Sequence, residues 1–387
     1  MLFDKKHTML LIGYICFLYL CDAKLRARDL GIPFTGTPGP FNSITDVRNV
    51  EVGFSTIIEG QSIRTGVTAV FPRGKKQVFQ NKPCFANWFS LNGRGEMTNT
   101  HWVTESGLLK TPILITNTLS VGTCQQALIK WYLRQDPPVD RRILEEIDLP
   151  MVAETYDGYL NDIIGFHVKD EHVFEALDSA EGFGSRVREG NVGGGTGMIT
   201  LGFKAGTGTS SRFVESLNAT VGVLVQSNFG RKKQLIIAGV PVGEELLKLE
   251  NNRTNVPDED AGSIIVILAT DAPLLPQQLK RLATRVSLGI GKVGGIGADS
   301  SGDIFLAFST TEISQSSTNK LSTEFLLTEQ MNSLFEATIE AVEEAIINAM
   351  IAAETMIGLN GLRVEAISHE QLIQILKKYN RFNEQSK

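Results

Sequence analysis

Residues 262–283 read GSIIVILATDAPLLPQQLKRLA. Ser263 to Thr270 is a continuous apolar, β-branched run, the pattern of a strand buried on both faces. Asp271 to Pro276 supplies turn residues. From Pro276 to Ile290 the spacing puts Leu279, Leu282, Ala283 and Val286 on one face of a helix. A second strand is predicted at 303–309, DIFLAFS. Buried strand, amphipathic helix and strand in succession mark a mixed α and β chain.

Working outward, VEVGFSTII and GVTAVF between Ile44 and Phe71 read as short strands. TPILITNTLSVG near 111–122 is an apolar stretch, and CQQALIKWYL after it reads as a helix. Residues 185–230 mix glycine turns with strands, ending in VGVLVQSNFG. Residues 244–262 read as an acidic, polar stretch. A long helix is predicted from Met331 to Met356, stopped by Gly358 and Gly361. Ser368 with Gln371 resembles a capping box for a last helix ending near Tyr379. Residues 26–42, RARDLGIPFTGTPGPFN, have little period and read as an extended arm.

Composition bounds the function. Hydrophobic residues make up 42% and charged residues 21% of 387 residues, enough apolar surface for a folded core. The net charge of −6 gives no basic face for nucleic-acid phosphates, so no nucleic-acid partner is expected. Lys5 and Lys6 precede an apolar run from Thr8 to Cys21, shorter than the ~20 residues a bilayer span needs. This predicts a signal peptide over residues 1–23 and a periplasmic or secreted protein, with membrane contact only through that segment. Cys84 and Cys124 then remain. They can pair, but the plainer reading is two small buried hydrophobes.

Several chemistries find no support. None of His7, His101, His167, His172 and His369 has zinc-site spacing, so neither metal nor cofactor is expected. No G-x-S-x-G elbow and no Walker lysine motif occurs. Gly289 to Gly294 matches G-x-G-x-x-G literally but follows a helix, not a strand, so the dinucleotide context fails. Gly193 to Gly197 reads equally well as an anion nest or a flexible turn.

Gly262-Ser263, between the acidic stretch and the buried strand, is on its own ordinary turn chemistry. The segments around it carry more. RARDLGIPFTGTPGPFNSITDV (26–47), LNGRGEMTNTHW (91–102), VAETYDGYLND (152–162), VGVLVQSNFG (221–230), the opening stretch at 262–283 and SGDIFLAFST (301–310) occur in one order. Together they resemble the L-aminopeptidase/D-amidase-esterase and β-peptidyl aminopeptidase family of self-processing N-terminal serine hydrolases. The resemblance covers nearly all of the chain beyond the predicted signal.

That resemblance implies an α+β fold, a four-layer αββα sandwich of the N-terminal-nucleophile type. Residues 24–387 would form one catalytic domain, self-cleaved between Gly262 and Ser263 into 24–262 and 263–387. It also implies a homo-oligomer, a tetramer by family habit. Ser263 would be the nucleophile. A serine hydroxyl needs a nearby base. A free α-amino group has a pKa of about 8 and sits on the same residue.

By the same resemblance, Ser301 and Asp303 would orient the nucleophile and its amine, and alternation from a strand start would put both on one face. Asn228 would donate to the oxyanion. Tyr156 would lie beside the nucleophile, and Glu154 would receive the ammonium of a peptide, amino-acid amide or ester. Taken alone, each of these residues has an ordinary reading as turn or half-buried loop. Asn92, Glu96 and Trp102 lie in a matching segment but receive no role. Two other readings remain open here: acyl transfer of the ornithine acetyltransferase type, and non-catalytic binding of peptides or amino acids.

Overall fold

The run SIIVILAT forms a strand in which every residue is buried, because it has a second layer on each side. This is seen in a computed structural model that describes residues 24–78, 80, 82–135, 148–249, 262–315 and 321–384. The predicted signal peptide lies outside the described residues, as does most of the acidic stretch before Gly262.

Two main sheets stand face to face. One has four strands, β1 (Glu51–Glu59), β2 (Ile63–Phe71), β5 (Ile113–Asn117) and β6 (Met151–Thr155), in the order β1-β2-β5-β6. The other has six: β3 (Cys84–Ser90), β4 (Leu108–Leu109), β9 (Thr207–Val214), β10 (Ala219–Asn228), β11 (Ser263–Thr270) and β12 (Ile304–Ser309), in the order β4-β3-β12-β11-β10-β9. A two-residue pair, β7 (Ile199–Thr200) and β8 (Phe203–Lys204), stands apart from both.

Strand alternation divides the core. Ile265, Ile267 and Ala269 of β11 meet Ala153 of β6 and Ile113 of β5 between the sheets. Ile264, Val266 and Leu268 turn the other way, onto Leu282 and Val286 of helix Pro276–Lys292 and Val342 and Ile346 of helix Met331–Ile351. On the opposite side Leu114 and Val152 pack against Leu128 of helix Val121–Gln135 and Val173 of helix Asp170–Asp178. The layers run helix, sheet, sheet, helix, which is the expected αββα sandwich.

β11 and β12 are parallel and joined through helix Pro276–Lys292, while β10 pairs antiparallel with β11. The two strands that follow the Gly262-Ser263 junction therefore lie side by side in the sheet, flanked on each side by strands that precede it. The arm at 26–42 is pinned rather than free: Arg26 pairs with buried Glu189, and Arg28 with buried Glu344.

Three local readings change. The long helix ends at Ile351, before Gly358, because Met356–Ile357 pairs with Arg363–Val364 as a small hairpin. Within the stretch read as acidic and polar, Val242–Leu249 is a helix with Val242 and Leu246 buried. The Gly193 to Gly197 segment is no anion nest: the N–H groups of Gly193 and Gly194 donate to Thr56 and Thr68 hydroxyls, and those of Gly195 and Thr196 to backbone carbonyls. Gly289 lies in helix Pro276–Lys292 against Val342, which removes the dinucleotide reading. Cys84 and Cys124 are free and buried, and burial pushes both thiols up to about 12.

Candidate active site

Ser263 opens β11 with the same facing as Ile265 and Ile267, so its side chain stands at the mouth of the cleft between the sheets. It is 7% exposed. Its register partner across β10 is Asn228. Directly opposed residues of an antiparallel pair share a face, with Cβ atoms about 5 Å apart. The sheet thus delivers a serine hydroxyl and a carboxamide to one spot from positions 35 residues apart.

The Asn228 amide is fixed at both ends. Its Oδ1 accepts from the Ile199 N–H at 2.8 Å, and its Nδ2 donates to the Tyr156 carbonyl at 2.9 Å. A carboxamide nitrogen carries two hydrogens, so one is left for a substrate oxygen. Gln226, two residues earlier on the same face, donates to the Thr116 carbonyl and to the Thr155 hydroxyl, tying β10 to the opposite sheet. That crossing sets the width of the cleft floor beneath Ser263.

The third wall is the turn before β12. The Gly302 N–H donates to Ser263 Oγ at 2.9 Å. Asp303 Oδ1 accepts from the Ser301 hydroxyl at 2.5 Å and from the Ile264 N–H at 3.1 Å. The carboxylate therefore grips the backbone next to Ser263, and Ser301 and Asp303 do come together. The reason differs from the expectation. β12 begins only at Ile304, so it is a turn, not strand alternation, that aims both side chains at one another. The turn packs closely on a second loop: a Cβ on Gly302 would lie 2.4 Å from the Gly95 Cα.

Gly262 is just as confined. A Cβ there would sit 1.8 Å from the Asn228 carbonyl oxygen, so only glycine fits the residue before Ser263.

Glu154 and Tyr156 sit at the end of β6. Tyr156 is 40% exposed and packs edge-on against Tyr159. Glu154 is buried on strand β6 and is no half-buried loop residue. Its neighbours Ala153 and Val152 show the alternation: Ala153 faces the inter-sheet core, and Val152 faces the outer helices. Glu154 shares the outward facing. Its Oε1 accepts the Glu96 N–H at 2.9 Å, and its Oε2 accepts the Thr118 hydroxyl. Burial raises its carboxyl above the usual range, the two hydrogen bonds oppose that rise, and the Glu96 charge adds to it. Next along the chain, burial lifts Asp157 to about 7, against hydrogen bonds from Thr65, Asn161 and Asn117.

Sequence reasoning missed the Gly302 N–H, the Ile264 N–H, Thr118 and Asn92. Backbone donors leave no trace in residue type, and nothing in TNTLS singles out Thr118. Asn92 stood in a matching segment without a role.

Residues 42–364 match the model of peptidase family S58. A β-peptidyl aminopeptidase BapA from Sphingosinicella microcystinivorans is 47% identical over 378 residues, covering 92% of this chain and 93% of the relative. Among solved structures, the L-aminopeptidase D-Ala-esterase/amidase of Ochrobactrum anthropi superposes with a TM-score of 0.83 at 45% identity, covering 92% of this chain and 99% of that one. It is described as a prototype for the serine aminopeptidases and a variant of the Ntn hydrolase fold. A Burkholderia sp. β-aminopeptidase gives a TM-score of 0.81 at 44% identity, with coverage of 92% and 99%.

Proposed function

The chain belongs to peptidase family S58 and is an aminopeptidase of the Ntn hydrolase fold, and from that premise we propose that Ser263 is its nucleophile, exposed by a self-cut after Gly262. The observation that carries this reading is the convergence of Gly302 and Asn228 on Ser263, the first residue of β11, with Asp303 gripping the Ile264 N–H beside it.

In the self-cut, Ser263 Oγ attacks the Gly262 carbonyl carbon. A C–O bond forms, the C–N bond breaks, and the hydroxyl proton ends on the departing nitrogen. Water then hydrolyses the ester, giving a Gly262 carboxylate and a Ser263 with free amine and hydroxyl. In turnover the amine takes the Oγ proton as Oγ attacks the carbonyl of the substrate's first residue. An ammonium beside Asp303 is stabilised by the carboxylate, which helps the amine accept that proton. The free N–H of Asn228 supports the oxyanion. The proton passes to the leaving amine or alcohol, and water releases the acid from the acyl-enzyme.

Glu154, two residues before the Tyr156 carbonyl that holds Asn228, is our candidate for the substrate ammonium, reached around the end of β6 rather than from the inner face of the sheet; such a carboxylate selects peptides, amides and esters with a free amino terminus. The relatives are hydrolases by name, so neither acyl transfer to a second amine nor non-catalytic binding gains support. The Lys5-Lys6 and Thr8–Cys21 pattern supports export.

Intact mass of the wild type beside Ser263→Ala is the test. Two fragments meeting at Gly262/Ser263 in the wild type, with an uncut, inactive mutant, are expected. A wild type that stays whole yet hydrolyses amino-acid amides would refute the free-amine mechanism.

A further inference from the structure

We propose that Asn92 is a positioning residue for catalysis: its side chain clamps the 298–303 turn so that the Gly302 N–H meets Ser263 and the Asp303 carboxylate meets the Ile264 N–H beside it. Asn92 touches no reacting atom. It acts through the turn, and the proposal rests on Ser263 being the nucleophile.

The clamp has two jaws. Asn92 Nδ2 donates to the Ala298 carbonyl at 2.9 Å, and Asn92 Oδ1 accepts from the Asp303 N–H at 2.8 Å. One carboxamide thus reads the start and the end of the same turn. The two contacts also fix the amide orientation, since a flip would set a donor against an N–H and an acceptor against a carbonyl. Only asparagine, among side chains of this length, offers a donor and an acceptor at once.

Asn92 is itself held. Its carbonyl accepts from the Ser90 hydroxyl at 2.7 Å, at the end of β3. Residues on either side of it add backbone bonds to the same turn, Leu91 N–H to the Asp303 carbonyl at 2.9 Å and Arg94 N–H to the Ser301 carbonyl at 3.3 Å. The Gly95 and Gly302 backbones touch behind it. The turn is thereby registered against β3, which pairs with β12 from Ser90 and Ile304 onward.

The consequence for the site is geometric. Asp303 is buried, so its N–H has no access to bulk water once Asn92 Oδ1 is removed. A turn that swings to satisfy that donor carries Gly302 and the Asp303 carboxylate away from Ser263. A misplacement of about 1 Å at such a distance costs about 100-fold in rate. Substrate contacts lie elsewhere, at Glu154, so the loss falls on kcat and on the self-cut, not on KM.

The experiment compares Asn92→Leu and Asn92→Asp with the wild type, using full-length protein. Self-cut rate is read by intact mass, and kcat and KM on an amino-acid amide are normalised to mature, folded sites. Asn92→Leu keeps the volume and loses both bonds, so about 100-fold slower turnover and self-cut are expected, with KM within about twofold. Asn92→Asp keeps an acceptor for the Asp303 N–H but loses the donor to Ala298, so it should recover to about tenfold below wild type.

Rates for Asn92→Leu within threefold of wild type overturn the proposal, as does an Asn92→Asp no faster than Asn92→Leu. If the leucine variant does not fold, folded Asn92→Asp decides alone: about tenfold slower in both steps at unchanged KM supports the clamp, and wild-type rates overturn it. Failure of the underlying reading looks different, because Ser263→Ala would then keep its turnover.

Discussion

Replacing Gly262 with alanine tests the self-cut geometry from the side of the bond that is broken. The added Cβ would lie 1.8 Å from the Asn228 carbonyl oxygen and 2.7 Å from its carbon. Ordinary contact begins near 3.4 Å, so the methyl or the backbone must move by about 1.6 Å, the difference of the two distances. The obstacle is backbone at the end of an interior strand, paired through the Asn228–Ser263 register, and does not give way like a flexible side chain. The displacement therefore falls on Gly262, whose carbonyl carbon is the proposed target of Ser263 Oγ. Attack needs the reacting atoms about 3–3.5 Å apart, and a shift of this size costs about 100-fold or more. Overpacking also destabilises the precursor by about 1–3 kcal/mol.

The assay follows the whole chain and its two fragments by intact mass over time at fixed pH. Processing of Gly262→Ala should lag by about two orders of magnitude. A built-in control separates this from damage to the site. After the cut, residue 262 ends the other fragment, so turnover per mature Ser263 should match the wild type. Wild-type processing by Gly262→Ala would refute the argument, since the methyl would then fit where the backbone leaves no room.

Two further expectations follow from buried carboxylates. Glu154→Gln removes the charge offered to the substrate ammonium while leaving a side chain of equal size between Thr118 and the Glu96 N–H. KM for free-amine substrates should rise about tenfold or more, with kcat much less affected; equal KM values on a matched amide series would remove Glu154 from amine binding. Asp157 titrates at about 7 in the fold against 3.8 for its ordinary value, so the folded chain holds the proton across that window. Stability is then lost as pH rises from about 4 to about 7, because ionisation costs more in the buried site than in the unfolded chain. Asp157→Asn mimics the protonated acid, so its melting temperature relative to wild type should climb across that window. A flat difference between the two from pH 4 to pH 8 would show that Asp157 does not titrate there.

Much of the architecture is legible in the residues. SIIVILAT has the β-branched, unbroken apolar pattern of a strand covered on both faces, and the spacing of Leu279, Leu282 and Val286 shows which side of the following helix covers it. The pairing of Ser301 with Asp303 was also visible, yet for a different reason than alternation, since a turn and a strand start share the same small polar residues. The helix end at Ile351 was misread because the glycines that looked like a stop belong to a hairpin beyond it. Glu154 looked like part of a loop. Its place on an edge strand depends on a pairing with β5 that no local pattern encodes.

What the sequence by itself determined is the mix of strands and helices and which of their faces are buried, because local hydrophobic period sets both; the layering and the proposed role of Ser263 followed from the family resemblance, since Gly262-Ser263 alone is ordinary turn chemistry. What only the tertiary structure decided is the company that serine keeps. Asn228 reaches it through antiparallel register, Gly302 through a backbone N–H that carries no residue signature, and Asn92 through a turn held from another strand. These are long-range contacts between groups most of which any sequence possesses, so their chemistry appears only when the sheets close and bring them within hydrogen-bond distance.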